Sequence, residues 1–401
     1  MEIKVIDQLD RKFYIPVGSE HKFKTVREFL IHFRIPSEII IVRSADKIVT
    51  EDFPFDNTIS LEIVRHLDLP KLLTIPHQKQ KSTSPVFNKR TLSFDFENDG
   101  LAILEKEFSM EEFVKYFENT VLETMIKYDM LKTKVGVALS GGKDSVAMLL
   151  ALNKLKDKLG NMQITAYTLE GWGQEQKNTY EYARTLPKKL GLAHKTASIR
   201  DVQKVFNLNT DYETVFKEIA ATDKITQNEK TMLLAATQRR LVEWAAQQDG
   251  TFNLFFGLNK EDLMSEIILT YTTGHLAFPL PVRPVKPFTY FYPLAFISKK
   301  ETGLYLYISA PEYTHQEPSS KVETGAKNAQ FHVKLCNDLT EIWPGIEYNL
   351  FDAYAKITSH MQNKINLVPC ENCGSTIVKT EDDNSPLCGA CKIYHKLGFL
   401  D

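Results

Sequence analysis

The pattern of apolar and polar residues is most regular in the middle of the chain. There, short apolar runs alternate with longer segments whose apolar residues recur at helical spacing. Strands are predicted at residues 135–139, 162–170, 192–199 and 252–257, and helices at residues 110–128, 143–152, 176–190 and 231–248. This alternation predicts an α/β fold with a doubly wound parallel sheet, in which ligands bind at the carboxyl ends of the strands.

The N-terminal region has the period of two that is typical of strands. Residues 2–7 and 12–17 predict a hairpin, residues 25–33 predict a helix capped by Thr25, and strands are predicted at 38–43 and 60–67. This order resembles the β-grasp fold of ubiquitin-like sulfur carriers, although an unrelated small α+β domain is the alternative. The carriers end in a free Gly-Gly, whereas here His66 and Leu67 lead into more chain. The resemblance therefore implies a docking domain that does not itself carry sulfur.

The segment that follows lacks any periodicity. It contains Pro, Lys, Gln and Ser in irregular order, which predicts a flexible and mildly basic linker. The sequence thus predicts a β-grasp domain at residues 1–68, a linker at 69–95, an α/β domain at 96–365 and a C-terminal module at 366–401.

The first strand of the α/β region runs into a glycine-containing turn and then a helix. Free backbone N–H groups and the positive end of the helix dipole meet at such a turn, which suits a phosphate. The glycines let the backbone approach an anion closely, and a lysine adds positive charge. A turn without a ligand is the alternative. The turn consists of Ser140, Gly141, Gly142, Lys143, Asp144 and Ser145.

This hexapeptide resembles the PP-loop of the ATP pyrophosphatases, which holds the pyrophosphate of ATP while a substrate atom is adenylated. The tRNA uridine 2-thiolation branch of that superfamily carries a Gly-His-Asn-x-Asp-Asp pattern that Gly257, Asn259 and Asp262 match here, with Leu258 in place of His. The resemblance implies that all six loop residues, together with Thr168 and Gly257, bind ATP. It implies catalytic roles for Lys143 and Asp262.

Asp262 is expected to hold Mg²⁺ or to accept a proton. The alternative is an acidic residue that only complements the helix dipole. Arg283, Lys286 and Lys299 lie in stretches that resemble the family's basic segments, so they are expected to face phosphates; an exposed loop with ordinary surface charge is the alternative.

Four of the five cysteines form two Cys-x-x-Cys pairs near the C-terminus. Four thiolates at this spacing predict a closed, structural Zn²⁺ ribbon or knuckle, with a redox or iron–sulfur role as the alternative. They also indicate a reducing compartment rather than disulfides. The ligands are Cys370, Cys373, Cys388 and Cys391.

Two sulfur-handling positions of the relatives lack cysteine in this chain. Before the basic pair that Arg239 and Arg240 match, the relatives have a Cys-x-x-Cys that holds an iron–sulfur cluster or carries a persulfide, but here Met232 and Ala235 occupy those positions. A third cysteine, expected near residues 311–313, is also absent, and Cys336 is the remaining thiol. Sulfur would therefore arrive as sulfide or on another protein.

These features predict an adenylating enzyme with ATP, Mg²⁺ and Zn²⁺ as cofactors and tRNA as its partner. The net charge of −2 excludes a global basic field, so RNA must bind a local patch. No apolar run approaches a membrane span, which predicts a cytoplasmic protein without membrane contact. A sulfur carrier or sulfurtransferase is expected to dock on the β-grasp domain, and a homodimer stays open. The alternatives are a non-sulfur nucleophile, a non-tRNA acceptor, or a non-catalytic partner subunit of a thiolation complex.

Overall fold

The computed structural model describes residues 2–6, 12–18, 22–33, 40–45, 47–63, 78–80, 84–95, 100–160, 162–171, 177–273, 278–314, 332, 335–336, 338–340, 343–362, 366–379 and 385–400. The chain forms two compact units. One comprises residues 1–111 and 338–346, and the other comprises residues 112–337 and 347–401.

The first unit contains the β-grasp sheet that the sequence predicts. Its strand order is β2-β1-β5-β3-β4, with β1 antiparallel to β2 and parallel to β5. Helix α1 begins after Thr25, whose side chain accepts a hydrogen bond from the backbone N–H of Glu28, and it buries Val26, Phe29 and Leu30 in the core. The elements are β1 (Glu2–Ile6), β2 (Lys12–Pro16), α1 (Val26–His32), β3 (Ile40–Ser44), β4 (Lys47–Val49) and β5 (Ile59–Ile63).

The same unit contains a second sheet, of three strands, where the sequence predicts a linker. Strand β8 (Gly100–Phe108) lies between β6 (Gln78–Gln80) and β7 (Phe87–Asp95), and β7 and β8 form a long antiparallel hairpin. The prediction of irregular structure is therefore wrong at 78–80 and 87–95. The pairing partner β8 lies beyond the predicted linker, so the composition of residues 69–95 gave no sign of it.

The second unit is built on the predicted parallel sheet. Its order is β11-β10-β9-β12-β14-β13, and β13 alone among these strands is antiparallel to its neighbour. Buried residues such as Val135, Val137 and Leu254 are apolar, because helices cover both faces of such a sheet. Its strands are β9 (Lys134–Ala138), β10 (Gln163–Glu170), β11 (Ala193–Ser198), β12 (Asn253–Phe255), β13 (Val282–Val285) and β14 (Phe288–Phe291).

Helices of ordinary length surround this sheet, including four that the sequence pattern did not predict, at residues 201–206, 212–221, 299–309 and 346–362. None of the helices among the described residues has the length and apolar character needed to cross a bilayer. They are α2 (Met110–Lys127), α3 (Lys143–Leu155), α4 (Lys177–Lys189), α5 (Asp201–Phe206), α6 (Tyr212–Ala221), α7 (Gln227–Gln248), α8 (Lys260–Thr273), α9 (Lys299–Ser309) and α10 (Ile346–Gln362).

The cysteine pairs lie in a small C-terminal module of this unit. Strands β15 (Asn366–Pro369) and β16 (Thr376–Lys379) form an antiparallel hairpin, and helix α11 (Gly389–Lys396) follows. One Cys-x-x-Cys pair begins directly after β15 and the other begins α11, so four sulfurs converge from a turn and a helix start.

Candidate functional site

The predicted phosphate loop connects the central strand β9 to helix α3. Gly142 is the extended N-cap of α3 and lacks a side chain to cap the helix, so the first N–H groups remain available for a ligand. The two serines brace the loop: Ser140 Oγ accepts a hydrogen bond from the N–H of Gly142 at 3.2 Å, and Ser145 Oγ donates to the carbonyl of Gly142 at 3.0 Å. The loop is thus held open around the start of the helix.

Two positions of this loop region tolerate only glycine. Gly141 has a φ of +81°, and a Cβ there would lie 1.8 Å from the carbonyl oxygen of Thr179. Gly257, just beyond β12, brings the backbone so close that a Cβ would lie 2.8 Å from the N–H nitrogen of Ser145. The two glycines therefore allow close packing of the loop against α4 and of the β12 end against α3.

A cavity of about 500 Å³, here called the loop cavity, opens at these strand ends. This volume is typical of small-molecule sites. The predicted residues Ser140, Gly142, Asp144, Ser145, Gly257 and Asp262 line it. The structure thus brings together, from β9, α3 and α8, most of the residues that the sequence singled out.

Three predicted ATP-binding residues do not line the loop cavity. Side chains alternate along a strand, so Tyr167 and Leu169 of β10 face the cavity while the buried Thr168 hydroxyl lies 2.9 Å from Nε2 of His194 on β11. Burial lowers the pKa of His194. Gly141 packs against Thr179 instead of lining the cavity. Lys143 is the first residue of α3 and is half-buried.

A cluster of charged side chains lies at the mouth of the loop. Lys299 Nζ is 2.7 Å from Oδ1 of Asp262. Burial opposes the charge on Lys299, but its hydrogen bond to Asp262 and the nearby carboxylates outweigh burial and raise its pKa. Burial raises the pKa of Asp144, and the charge of Asp262 adds to that effect. The charge of Lys143 opposes the rise, so these groups form a compact acidic site near two lysines, Lys143 and Lys299.

Asp144 also has an unsatisfied atom. Its Oδ1 is buried and has no hydrogen-bond partner among the described residues, and the same holds for Nδ2 of Asn259. Asn259 is a neighbour of Asp144 that lowers its pKa and does not line the loop cavity, so only the Asp144 oxygen, on a residue of the cavity lining, is a candidate ligand atom. A carboxylate oxygen of this kind suits a hard cation such as Mg²⁺.

Asn259 and Glu261 are site residues whose roles emerge only from the structure. Asn259 Oδ1 accepts from the N–H of Asp262 at 3.2 Å and caps α8, which fixes Asp262 in place. Glu261 is buried and accepts from the N–H of Lys299 at 3.1 Å; burial raises its pKa. In the sequence, this cap is indicated by an Asn at position 259 followed by the acidic residues Glu261 and Asp262, a pattern typical of a helix start.

The structure contradicts the alternative that Arg283 lies on an exposed loop, and it pairs this residue with a carboxylate rather than leaving it exposed to phosphates. Arg283 is a buried residue of β13, its guanidinium forms an ion pair with Glu266 of α8, and it lies near the rings of Phe278 and Tyr292. Lys286 is exposed at the β13–β14 turn. Arg283 is buried because it lies on β13, a strand that the sequence did not indicate, with its side chain directed to Glu266 of α8.

The four cysteines of the C-terminal module converge as predicted. Their Sγ atoms all lie within 4.8 Å of one another. Backbone N–H groups point at the sulfurs, for example from Cys388 to Cys370 Sγ at 3.2 Å and from Ser375 to Cys373 Sγ at 3.5 Å. Four convergent sulfurs with N–H donors fit a tetrahedral metal centre.

Buried polar contacts connect this cysteine centre to helix α7. Arg240 donates from Nε to the carbonyl of Cys373 at 2.6 Å and from Nη1 to Oε2 of Glu243 at 3.1 Å. Tyr290 of β14, which lines the loop cavity, donates to the other oxygen of Glu243. The chain Cys373, Arg240, Glu243 and Tyr290 therefore runs from the cysteine centre to the wall of the loop cavity.

The structure places no thiol where the resemblance implies cysteines that handle sulfur. Met232 is 62% exposed on α7, and Ala235 lines the loop cavity. Cys336 is fully buried with Sγ 3.6 Å from Oγ of Ser265, and burial raises its pKa. Cys336 is not among the residues that line the loop cavity, so among the described residues no thiol reaches that cavity.

Comparison with known proteins finds a family match for the part of the chain that contains the loop. Residues 112–248 match the PP-loop domain family. A probable sulfurtransferase of Methanocaldococcus jannaschii is 23% identical over 255 residues, which cover 60% of this chain and 70% of that protein. The structure of the U34-tRNA thiolase NcsA from Methanococcus maripaludis, solved with its [4Fe-4S] cluster, superposes with a TM-score of 0.56 at 19% identity, covering 74% of this chain and 91% of NcsA. The similarity to NcsA shows that the two proteins share a fold.

Proposed function

We propose that this chain, whose residues 112–248 form a PP-loop domain, is an ATP-dependent enzyme that adenylates a tRNA uridine and prepares it for replacement of oxygen by sulfur. The observation that carries the proposal is the loop cavity, where Gly142, Ser145 and Gly257 meet at the carboxyl ends of β9 and β12. The tRNA part rests on the similarity to the sulfurtransferase and to the U34-tRNA thiolase.

The loop holds the phosphates of ATP in this proposal. The uncapped N–H groups at the start of α3 donate to the pyrophosphate part, and the helix dipole and Lys143 balance its charge. The substrate carbonyl oxygen attacks the α-phosphorus, a new P–O bond forms, and the bond to the β-phosphate breaks to release pyrophosphate. A sulfur nucleophile then attacks the ring carbon, and AMP leaves with the original oxygen.

Asp144 and Asp262 are the residues that would hold Mg²⁺. The unpartnered Oδ1 of Asp144 and the neighbouring carboxylate of Asp262 fit a hard cation that takes oxygen ligands. When bound, Mg²⁺ would neutralise charge that develops on the phosphates. Lys299 holds the carboxylate of Asp262 in one orientation through its 2.7 Å contact.

The cysteine centre has a structural role in this proposal. Cys370, Cys373, Cys388 and Cys391 would hold Zn²⁺ in a closed site without an open position, so the metal supplies rigidity and no reaction step. The sulfur must come from outside, as sulfide or from a carrier or sulfurtransferase docked on the β-grasp domain. A non-sulfur nucleophile such as an amine is the second candidate, because Met232 and Ala235 leave no thiol at the positions where the relatives handle sulfur.

Pyrophosphate release from ATP by the purified protein, with and without bulk tRNA, tests the proposal. Release that requires tRNA is expected for the wild type. Lys143→Ala and Asp262→Asn are expected to lower it at least about 100-fold, since the first removes the positive charge that balances the phosphates and the second removes a carboxylate that would hold Mg²⁺. Lys154→Ala is the matched control: Lys154 is exposed at the other end of the same helix and should leave the rate unchanged.

The other outcomes separate the alternatives. Release without tRNA would point to a protein or small molecule as the acceptor. ATP binding without any release on any tRNA would contradict the enzyme and favour a partner subunit of a thiolation complex. Mass analysis of the tRNA nucleosides would then show whether the incoming atom is sulfur or nitrogen.

A further inference from the structure

Hydrogen bonds join the first turns of helices α8 and α9. The N–H of Lys260 donates to the carbonyl of Ile297 at 2.9 Å. The N–H of Lys299 donates to the carboxylate of Glu261 at 3.1 Å. The same two turns carry the side-chain contact of 2.7 Å between Lys299 and Asp262. The position of the Asp262 carboxylate therefore depends on how the start of α8 is held.

A buried ion pair connects the same turn of α8 to helix α10. Lys260 Nζ lies 3.7 Å from Oε1 of Glu347, and the two side chains are only 7% and 2% exposed. Successive residues of a helix are rotated by about 100°, so the side chains of Lys260 and Asp262 leave α8 in nearly opposite directions. Accordingly, Asp262 lines the loop cavity and Lys260 does not. The ion pair thus holds α8 from the side that faces away from this cavity.

This ion pair is an unfavourable way to hold two helices together. Both charges lose their hydration on burial, and Oε2 of Glu347 has no hydrogen-bond partner among the described residues. Lys260 is the first residue of α8, where the helix dipole opposes a positive charge. Two apolar side chains of similar volume would stabilise such a contact about as well. What the charged pair adds is a fixed distance and direction between the starts of α8 and α10.

We propose that Lys260 and Glu347 are positioning residues for the metal site: their buried ion pair fixes the first turn of α8 so that Asp262 presents its carboxylate to Mg²⁺. Neither residue lines the loop cavity, so both act through Asp262. Without the pair, the carboxylate would spend less time in the orientation that the ion requires. Groups that orient a metal ligand in this way contribute about 10- to 100-fold to metal affinity. This inference rests on the proposed function and extends its metal site to two residues outside the cavity.

The test measures the binding of an ATP analogue with a non-hydrolysable bond between the α- and β-phosphates. Isothermal titration calorimetry gives the dissociation constant with and without Mg²⁺, and the ratio of the two constants is the Mg²⁺ effect. A general loss of nucleotide binding weakens both affinities and leaves this ratio unchanged, so the ratio reports on the metal site. The measurement requires neither tRNA nor turnover. A wild type without any Mg²⁺ effect would overturn the inference.

An apolar double variant, Lys260→Met with Glu347→Leu, separates positioning from stability. Each single variant leaves one charge buried alone and should lower the melting temperature by about 5–10 °C, whereas the double variant should melt within about 3 °C of the wild type. The double variant should nevertheless lose about tenfold of the Mg²⁺ effect. A double variant with both the melting temperature and the Mg²⁺ effect of the wild type would show that the pair is merely structural.

Two other double variants serve as controls. Lys260→Arg with Glu347→Asp keeps an ion pair of similar reach and should retain the Mg²⁺ effect. Lys127→Gln with Asp352→Asn removes an exposed ion pair of 3.6 Å that joins α10 to α2, and it should also retain the effect. Loss of the Mg²⁺ effect in this second control would assign it to any weakening of the contacts of α10 and would contradict the specific role of the buried pair.

Pyrophosphate release separates this inference from the proposed function. In the apolar double variant, the Mg²⁺ concentration for half-maximal release should rise about tenfold, and the rate at saturating Mg²⁺ should stay close to that of the wild type. A lower maximal rate with an unchanged Mg²⁺ requirement would contradict the inference and leave the proposed function standing. A Mg²⁺ effect on binding that the double variant loses, with no pyrophosphate released by the wild type on any tRNA, would support the inference and contradict the proposed function.

Discussion

At the scale of single residues, backbone geometry explains why the loop needs its glycines. Gly141 and Gly160 both have positive φ values, +81° and +70°, but only Gly141 is crowded, since a Cβ there would lie 1.8 Å from the carbonyl oxygen of Thr179. At Gly160 nothing lies within 4 Å. A substitution at Gly160 would therefore add only the strain of a positive φ, whereas a substitution at Gly141 would add the same strain and a steric clash.

Gly160→Ala should cost about 1 kcal/mol of unfolding free energy, which is the cost of a left-handed conformation for alanine. Gly141→Ala should cost several times more, and it should also abolish ATP binding because the loop must move away from α4. Urea unfolding and ATP titration check both variants. Equal losses of stability would contradict the role assigned to the contact between Gly141 and Thr179.

Asp144 shows a conflict between stability and ligand binding. Burial raises its pKa, so in the folded protein its charged form is disfavoured, and stability is lost as the pH rises from the unfolded value of 3.8 through the folded pKa. Asp144→Asn should therefore make the ligand-free protein more stable at neutral pH but not below pH 3.8, where both states hold a neutral carboxyl group. It should also weaken binding of MgATP.

Thermal unfolding at several pH values, with and without MgATP, tests this prediction. Asp157→Asn removes an exposed carboxylate just beyond helix α3 and is the matched control. A variant at Asp144 that is less stable than the wild type at neutral pH would argue that the orphan oxygen is satisfied by the protein itself.

At the scale of elements, hydrogen bonds connect the cysteine module to helix α7. Arg240 connects the carbonyl of Cys373 to Glu243, and Thr237 Oγ1 lies 2.7 Å from the hydroxyl of Tyr394 on α11. Because α7 also forms a wall of the loop cavity, the shape of that cavity depends on the module.

Cys388→Ser should lower the bound metal and reduce the melting temperature by about 10 °C, because a closed structural metal site contributes to folding directly. It should also weaken ATP binding through the Arg240–Glu243–Tyr290 contacts. Cys336→Ser, in a buried position outside the module, should keep its full metal content. Metal analysis and differential scanning calorimetry of the two variants test this prediction. Full metal content in Cys388→Ser would exclude Cys388 as a ligand.

At the scale of the whole molecule, the residues of the loop cavity all lie in the second unit, and the β-grasp sheet has a core of its own. Phe29 is fully buried in that core. Phe29→Ala should therefore cost the N-terminal domain about 3–5 kcal/mol and leave tRNA-dependent pyrophosphate release unchanged.

Limited proteolysis would locate the destabilised region, and the pyrophosphate assay would measure activity. If sulfur transfer from a carrier is lost while adenylation persists, the domain docks the sulfur donor. Loss of adenylation itself would show that the β-grasp domain is needed for the first step as well.

The local pattern of residues was sufficient to predict the β-grasp order, the parallel sheet, the loop at residues 140–145 and the four-cysteine centre. Each of these is encoded over a short stretch, by a period of two or 3.6, by a glycine turn after an apolar strand, or by paired cysteines. The matches at Gly257 and Asp262 also lie within one short segment, which folds as a strand end and a helix start.

Only the tertiary structure decided how distant segments combine. Pairing with β8 turned predicted linker residues into strands, and the pleat of β10 turned Thr168 toward His194. The position of Arg283 on strand β13 directed its side chain to Glu266. The contact of Lys299 with Asp262 and that of Arg240 with the carbonyl of Cys373 likewise join residues far apart in sequence. Such features depend on strand register and side-chain direction, which local composition does not encode.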